Sequence, residues 1–496
     1  MKRTLCLALV CILASCTSKG DVRQPASKSP AAVASAPAPA KKVLKFGKTA
    51  KVPAAAVAFA QATDLWENVR GEEAIEPLKK AITAEPDFAY AHAYLGQALP
   101  GMEGQKELEK AVQLAASLPE ADRLVIEAML AGRKGDTAAY RANLERVVKL
   151  VPDDWLPFSM LGDQAYEEED YATALAMMKK AAALRPQAVG AYITIGYAHA
   201  VQGQYEEAIR AFKKYAALRP NEPNVQDSLA DVYLNAGKLT DAEAAYLKAI
   251  EVSPKFAFSW NGIAFARAYR GDYAGAHQAL ANGRHAAAVP QQRLSFDLDA
   301  AWLKLAEGKT AEAFKALDAA ATAAAADKVP MVAGLASDRG TMYYGLGKYA
   351  DAAKHWQLAL DSIPASGFSA GGQANLRRWM VANLTRARAR AGKVADAEKA
   401  LALVEVEAKK ATGQPYYQKN GVAMARGLVK LAKGDAKAAA VDLAQCSKDN
   451  FWCAWERSVV LAQAGDAAGA AAARKLIVDK PLRDRAYAFV LGKVKK

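Results

Sequence analysis

The 496-residue sequence predicts an all-α solenoid built from repeated helix pairs. Three observations lead there. Pro152, Pro186, Pro220 and Pro254 follow one another at a constant spacing of 34 residues. Each ends a stretch of helical apolar period, and proline cannot continue a helix. Gly203, Gly237 and Gly271 fall in phase between the prolines, where a tight turn inside each unit favours a residue with positive φ. A fixed period of this length marks stacked supersecondary units, each too small to bury its apolar face alone. Composition agrees: 52% hydrophobic residues is too apolar for a disordered chain. The length suits one long array or several ordinary domains.

The elements follow in chain order. Residues 1–16 read MKRTLCLALVCILASC. Lys2 and Arg3 form a positive start, and Leu5 to Ala14 is apolar but shorter than the ~20 residues a bilayer span needs. That stretch has the size of a signal-peptide core. It ends in Leu13-Ala14-Ser15-Cys16, which resembles the bacterial lipobox. In that family cleavage precedes the cysteine, whose sulfur and new amino group are acylated. The resemblance therefore implies a lipoprotein signal peptide over 1–15 and lipidation at Cys16. Acyl chains contribute ~0.8 kcal/mol per buried CH₂, so several make a lasting anchor. Thr17 stands where an inner-membrane retention signal would place aspartate, which favours an outer-membrane, periplasm-facing address. A plain secretory signal with a chance cysteine is the competing reading. Residues 16–54 would comprise the lipidated cysteine and a disordered, basic Ala/Pro/Ser/Lys tether, reaching roughly 35 Å as a flexible coil.

The body begins at 55. Units start near 55, 89, 121, 155, 189, 223 and 257 and give a regular array over 55–290. The clearest copy carries Tyr192, Ile195, Gly196, His199, Ala208, Phe212, Tyr215 and Pro220; the next carries Leu229, Ala230, Tyr233, Ala242, Tyr246, Ala249 and Pro254. These residues resemble the tetratricopeptide repeat family. The resemblance implies antiparallel helix pairs, with Gly162, Gly196, Ala174 and Ala208 where backbones approach and Phe212 and Tyr246 filling the gaps. Beyond Pro290 the beat loosens, and 291–481 reads as a degenerate array. Gly308, Gly347, Gly392, Gly434 and Gly465, each followed five residues later by alanine, place further units near 294, 333, 378, 420 and 451. A helix over about 482–494, within a basic tail to 496, is expected to cap the array. The resemblance thus implies a tetratricopeptide-repeat superhelix of about twelve helix pairs, bent near 361–376.

Catalytic motifs fail on context. Gly367-Phe368-Ser369-Ala370-Gly371 fits the nucleophile elbow of hydrolases, but that order needs a histidine after the serine, and the last histidine is His355. Gly345-Leu346-Gly347-Lys348 lacks the spacing of a phosphate loop. Only five histidines occur, none four residues from another; His277 and His285 lie eight apart without a carboxylate cluster. No metal, cofactor or catalytic residue is expected, so the chain reads as a non-enzyme. Cys446 and Cys453 are the two cysteines of the body, a disulfide candidate in an oxidising compartment.

Binding residues come from the family resemblance, in which the first helix of each pair lines the concave face. Its lining positions fall here on Asp163, Tyr197, Asp227, Asp231, Asn261, Phe265, Tyr269 and Trp302. Aromatics interleaved with carboxylates suit an extended or helical peptide carrying basic side chains. The competing reading packs these aromatics against adjacent helices. The lysine and asparagine of the family's carboxylate clamp are absent. Arg386 and Arg390, four apart in an arginine-rich stretch, form either a patch for an anionic partner or a solvated helix face.

The formal charge is +14, which at face value suggests a polyanion. Its position argues otherwise. Residues 17–56 carry eight Lys and Arg against Asp21 alone, and 474–496 carry eight against two aspartates. The solenoid between is close to neutral. Nucleic acid is therefore not expected, and contact of the ends with anionic lipid or cell wall is. The sequence reads as a non-catalytic protein–protein interaction scaffold or assembly factor, lipid-anchored at the bacterial envelope, with other envelope proteins or peptides as partners. An envelope ligand sensor using the same groove, or an enzyme with an unrecognised site, are the alternatives.

Overall fold

The computed structural model describes residues 50–68, 70–329, 332–411, 415–447 and 450–495. The signal peptide over 1–15, Cys16 and the tether as far as residue 49 lie outside the described residues. The tether was expected to reach 54, and its last residues, 50–54, are described. The Lys51 and Val52 amides donate to the Glu85 carboxylate at 2.7 and 2.9 Å, and Pro53 starts the first helix. Proline suits that position because its missing N–H would find no helical acceptor there.

Among the described residues, helices of eight residues or more form twelve antiparallel pairs and one final helix. The first pairs are α1 (Pro53–Glu67) with α2 (Ile75–Ala84), α3 (Ala89–Ala98) with α4 (Gly101–Leu114), and α5 (Glu120–Lys134) with α6 (Thr137–Leu150). Next come α7 (Leu156–Glu167) with α8 (Tyr171–Leu184), α9 (Val189–Val201) with α10 (Tyr205–Leu218), and α11 (Pro223–Asn235) with α12 (Leu239–Val252). Then α13 (Phe258–Tyr269) pairs with α14 (Tyr273–Ala286), α15 (Pro290–Ala306) with α16 (Thr310–Ala326), and α17 (Val332–Gly345) with α18 (Tyr349–Asp361). The last are α19 (Ala370–Arg390) with α20 (Val394–Lys410), α21 (Ala423–Ala432) with α22 (Ala436–Leu443), and α23 (Phe451–Gln463) with α24 (Ala467–Val478). The chain ends in α25 (Tyr487–Val494).

From the third pair on, a residue in the left-handed region closes the first helix of each pair, and in five of these turns an aspartate caps the second. Gly271 at φ 87° precedes Asp272, whose side chain accepts from the Gly275 amide at 2.8 Å. The same device recurs at Asp136, Asp170, Asp435 and Asp466. Each satisfies an amide that the helix leaves without a partner. In the fourth pair Glu169 holds the turn position at φ 60° without being glycine.

Packing explains the glycines within the helices. A Cβ on Gly196 would lie 2.6 Å from the Phe212 ring, so α9 and α10 close on each other only because that hydrogen is all there is. Phe212, Tyr215, Tyr246, Trp302 and Trp356 are fully or almost fully buried between layers, as a stack of pairs requires.

The superhelix returns on itself. Gly371 at the start of α19 abuts the end of α5, where a Cβ would lie 2.5 Å from the Arg133 carbonyl. Glu169 accepts from Ser447 at 2.7 Å and pairs with Lys419 at 3.1 Å. Both contacts join pairs seven steps apart, one between the third and tenth pairs and one between the fourth and eleventh.

The expected terminal cap differs from the observed one. Its helix begins at Tyr487 and packs across α13, α15, α23 and α24, so it lies against the interior of the coil as well as the last pair. Seven buried residues from Leu482 to Leu491 explain the placement: an outer cap would leave one face of that helix in water.

Candidate protein-binding groove

The first helices of pairs six to nine carry a row of polar and aromatic side chains on one face. On α11, Asp227 and Asp231 are four residues apart and therefore stacked on the same side. Their carboxylates are 7% and 1% exposed, and neither is left bare. Ser259 donates to Asp227 at 2.9 Å, while the Tyr197 and Tyr246 hydroxyls donate to Asp231. On α13, Asn261 donates to Asp299 of α15, and Phe265 stacks on Tyr269 with centroids 6.1 Å apart. On α15, the Trp302 indole donates to Asp338 of α17 at 3.0 Å. Asp163, nearer the start of the row, accepts from Thr194 at 2.8 Å.

A peptide fills this face, and it is the chain's own C-terminal segment. The Lys480 ammonium donates to the Val201 carbonyl at 2.9 Å. Leu482 offers its carbonyl to the Tyr269 hydroxyl. Arg483 reaches both oxygens of Asp227 at 3.0 Å, Asp231 at 3.2 Å and the Asn261 side-chain oxygen at 3.0 Å, and lies over the Tyr246 ring. Arg485 pairs with Asp299 at 3.1 Å and Asp338 at 3.3 Å. Tyr487 then meets Tyr269 edge to face at 5.1 Å, and Phe489 meets Trp302 at 6.3 Å. Gly345 leaves room for the Phe489 ring, where any Cβ would collide with it.

The electrostatics follow from burial. Removing Arg483 from water opposes its charge, but Asp227 and Asp231 outweigh that and hold the guanidinium above its ordinary range. Asp299 goes the other way. Its burial is the largest influence, and with Asp338 nearby it lifts the carboxyl to about 6 despite Arg485 and Asn261.

The residues expected on the concave face are thus gathered on one surface, but Asp227, Asp231, Phe265, Tyr269 and Trp302 are covered rather than open. Asp299, Asp338, Arg483 and Arg485 were not anticipated. The aspartates escaped because each stands nine residues before its turn glycine, Gly308 or Gly347, one place off the lining position that Asp227 and Asn261 hold ten residues before Gly237 and Gly271. The two arginines stood only as terminal basic charge. They turn inward, so they do not serve the lipid or wall contact expected of that end.

The arginine patch is corrected. Arg386 is 5% exposed, with its guanidinium over the Tyr344 and Trp356 rings at 5.0 and 5.5 Å. Arg390 donates to the Tyr349 hydroxyl at 2.9 Å and faces buried Glu456 at 3.9 Å. Helix α19 is covered by α18, α20 and α21, so neither arginine presents a surface to an anionic partner. Cys446 and Cys453 are bonded to each other across the α22–α23 connection. Ser369 of the elbow-like sequence caps α19 by accepting from the Gly372 amide at 3.3 Å. His277 pairs with Glu307 at 2.5 Å. Among the described residues no cluster of three His, Cys, Asp or Glu could hold a metal ion, and no helix is long and apolar enough to cross a membrane.

The tetratricopeptide repeat family model matches residues 165–230 and 201–258, and the chain carries tetratricopeptide repeats there. No curated protein matches significantly. Similar solved structures include MamA, at 22% identity over 34% of this chain and 91% of that one, with a TM-score of 0.30. The anaphase-promoting-complex hetero-tetramer Cut9–Hcn1 aligns at 15% identity over 86% of this chain and 78% of that one, with a TM-score of 0.41. A thermophilic tetratricopeptide repeat protein of Thermus thermophilus aligns at 20% identity over 45% and 98%, with a TM-score of 0.27.

Proposed function

We propose that this all-α repeat superhelix is a non-catalytic scaffold that binds proteins or peptides along the concave face of pairs five to nine, and that Cys16 anchors it by lipid to the outer membrane of a bacterial envelope, facing the periplasm. One observation carries the binding half of the reading. The face already holds a peptide, and every polar group of the row has found a partner on it or beside it. Four carboxylates, Asp227, Asp231, Asp299 and Asp338, receive two arginines, while Tyr269 and Trp302 receive two aromatic rings. Such a surface discriminates by charge register and by ring position. The anchor rests on the register of Lys2-Arg3, the apolar stretch and Leu13-Ala14-Ser15-Cys16.

Site-specific photocrosslinking in cells tests the binding surface. A crosslinker at half-buried Tyr197 is expected to yield discrete adducts with envelope proteins. Adducts only from positions in the tether would reject the groove. For the anchor, Cys16→Ala is expected to shift the protein from membrane to soluble fractions, and unchanged fractionation would reject lipidation there.

A further inference from the structure

The segment 480–491 is an unusual final element. It leaves α24 without helical structure until Tyr487 and reaches across pairs five to nine. Those pairs stack on one another through their own helices, α12 on α13, α14 on α15 and α16 on α17. Its hold on them is ionic at Arg483 and Arg485 and apolar from Tyr487 to Leu491. A segment selected only to fill an interior would be apolar, because burying Arg483 and Arg485 against carboxylates costs desolvation that a hydrophobic filler avoids. Ion pairs do supply a defined register and an occupant that is soluble when released. Released, the segment exposes Lys480, Arg483 and Arg485 against Asp484, and these charges hydrate its first half while its apolar second half favours return to the groove.

The contacting side chains also follow a simple spacing. Arg483, Arg485, Tyr487 and Phe489 alternate along the chain and between them address pairs six to nine: Asp227 and Asp231 on α11, Asp299 on α15 with Asp338 on α17, Tyr269 on α13, then Trp302 and the gap at Gly345. We propose that 480–491 is an internal ligand that closes the groove, and that the partner accepted in its place is a peptide segment with two arginines two residues apart followed by alternating aromatics, Arg-x-Arg-x-Tyr-x-Phe in character. The proposal rests on the reading of this face as a protein-binding surface and names the chemistry it selects. A closed groove weakens binding of any external peptide by the fraction of time it is open. If about one molecule in a hundred is open, added peptide binds the wild type about 100-fold more weakly than an opened variant.

The test uses the full chain and a synthetic peptide of residues 480–496 carrying a fluorophore. The double variant R483E/R485E places two acids against Asp227, Asp231, Asp299 and Asp338, which drives its own segment out. Anisotropy titration is expected to show at least ~10-fold tighter peptide binding to this variant than to the wild type. A peptide bearing the same two glutamates is expected not to bind. Equal binding to both proteins, or binding to neither, overturns the proposal. Hydrogen exchange on the wild type guards against a variant that fails to fold. Amides of 487–494 are expected to exchange through a local opening, faster than those of α13 and α15. Exchange at the same rate as those helices would make the segment a fixed part of the fold and overturn the proposal. No cellular partner enters either measurement. Tight peptide binding with empty crosslinks would reject the scaffold reading alone, and the reverse would reject only the internal ligand.

Discussion

Asp299→Asn is the substitution whose effect can be worked furthest. The wild-type carboxyl is 3% exposed, lies 3.1 Å from the Arg485 guanidinium and shares its surroundings with Asp338. Burial raises it from an ordinary 3.8 to about 6 in the folded protein. Between those values the folded state binds a proton that the unfolded state does not. Stability therefore rises as pH falls from 7 through 6 toward 4, and is lower on the alkaline side. At about 1.4 kcal/mol for each pH unit between the two values, the swing is on the order of 3 kcal/mol. Asparagine keeps the shape and the hydrogen bond to Asn261 without the ionisation. Urea midpoints read by tryptophan fluorescence, taken for both proteins from pH 4.5 to 7.5, isolate this group because the other titrations cancel in the difference. The variant is expected to gain on the wild type at pH 7 and to lose about half of that gain by pH 5. A pH-independent difference, or a variant that loses most at pH 7, would show that the Arg485 ion pair outweighs burial and refute the reasoning.

Three further outcomes follow from packing. Gly262→Ala drives a methyl into the buried Tyr246 ring and is expected to cost about 1–3 kcal/mol by overpacking, read as a lower denaturation midpoint. Cys446→Ser is expected to cost about 2–3 kcal/mol by reopening a short loop, and the native protein without reductant is expected to leave both thiols unlabelled in its described body. Two labelled thiols at Cys446 and Cys453 would contradict the bond. Arg386→Ala removes a buried cation from the Tyr344 and Trp356 rings and is expected to cost about 2 kcal/mol or more, with no change in binding to anionic vesicles.

The repeat frame was legible because each unit punctuates itself. Helices α3, α9, α11 and α23 begin at the residues expected, and the turn glycines carry positive φ as their phase required. Legibility fades where the frame shifts by a residue. Asp299 stands one residue closer to its turn glycine than Asn261 does in α13, so the expected lining positions pass it by. Arg386 and Arg390 misled for a different reason. An arginine-rich helix reads as solvated, and only the convergence of Tyr344, Tyr349, Trp356 and Glu456 from other elements turns its cations inward. The Arg483–Asp227 pair spans 256 residues, and nothing local records which surface the coil brings back to that arginine.

An open solenoid behaves as a spring: each unit feels only its neighbours, so its ends fray under heat or force while the middle persists. The contacts of Glu169 with Ser447 and Lys419, and of Gly371 with the end of α5, turn that spring into a latched ring. Loss of the eleventh pair strips a charged contact from the fourth, and loss of the tenth opens the third. Pulled from its ends, such a molecule resists at low extension until the latch breaks, and then yields unit by unit. Glu169 stands at its turn in a backbone conformation that costs an ordinary residue about 1 kcal/mol, and the carboxylate it supplies is what fastens the latch.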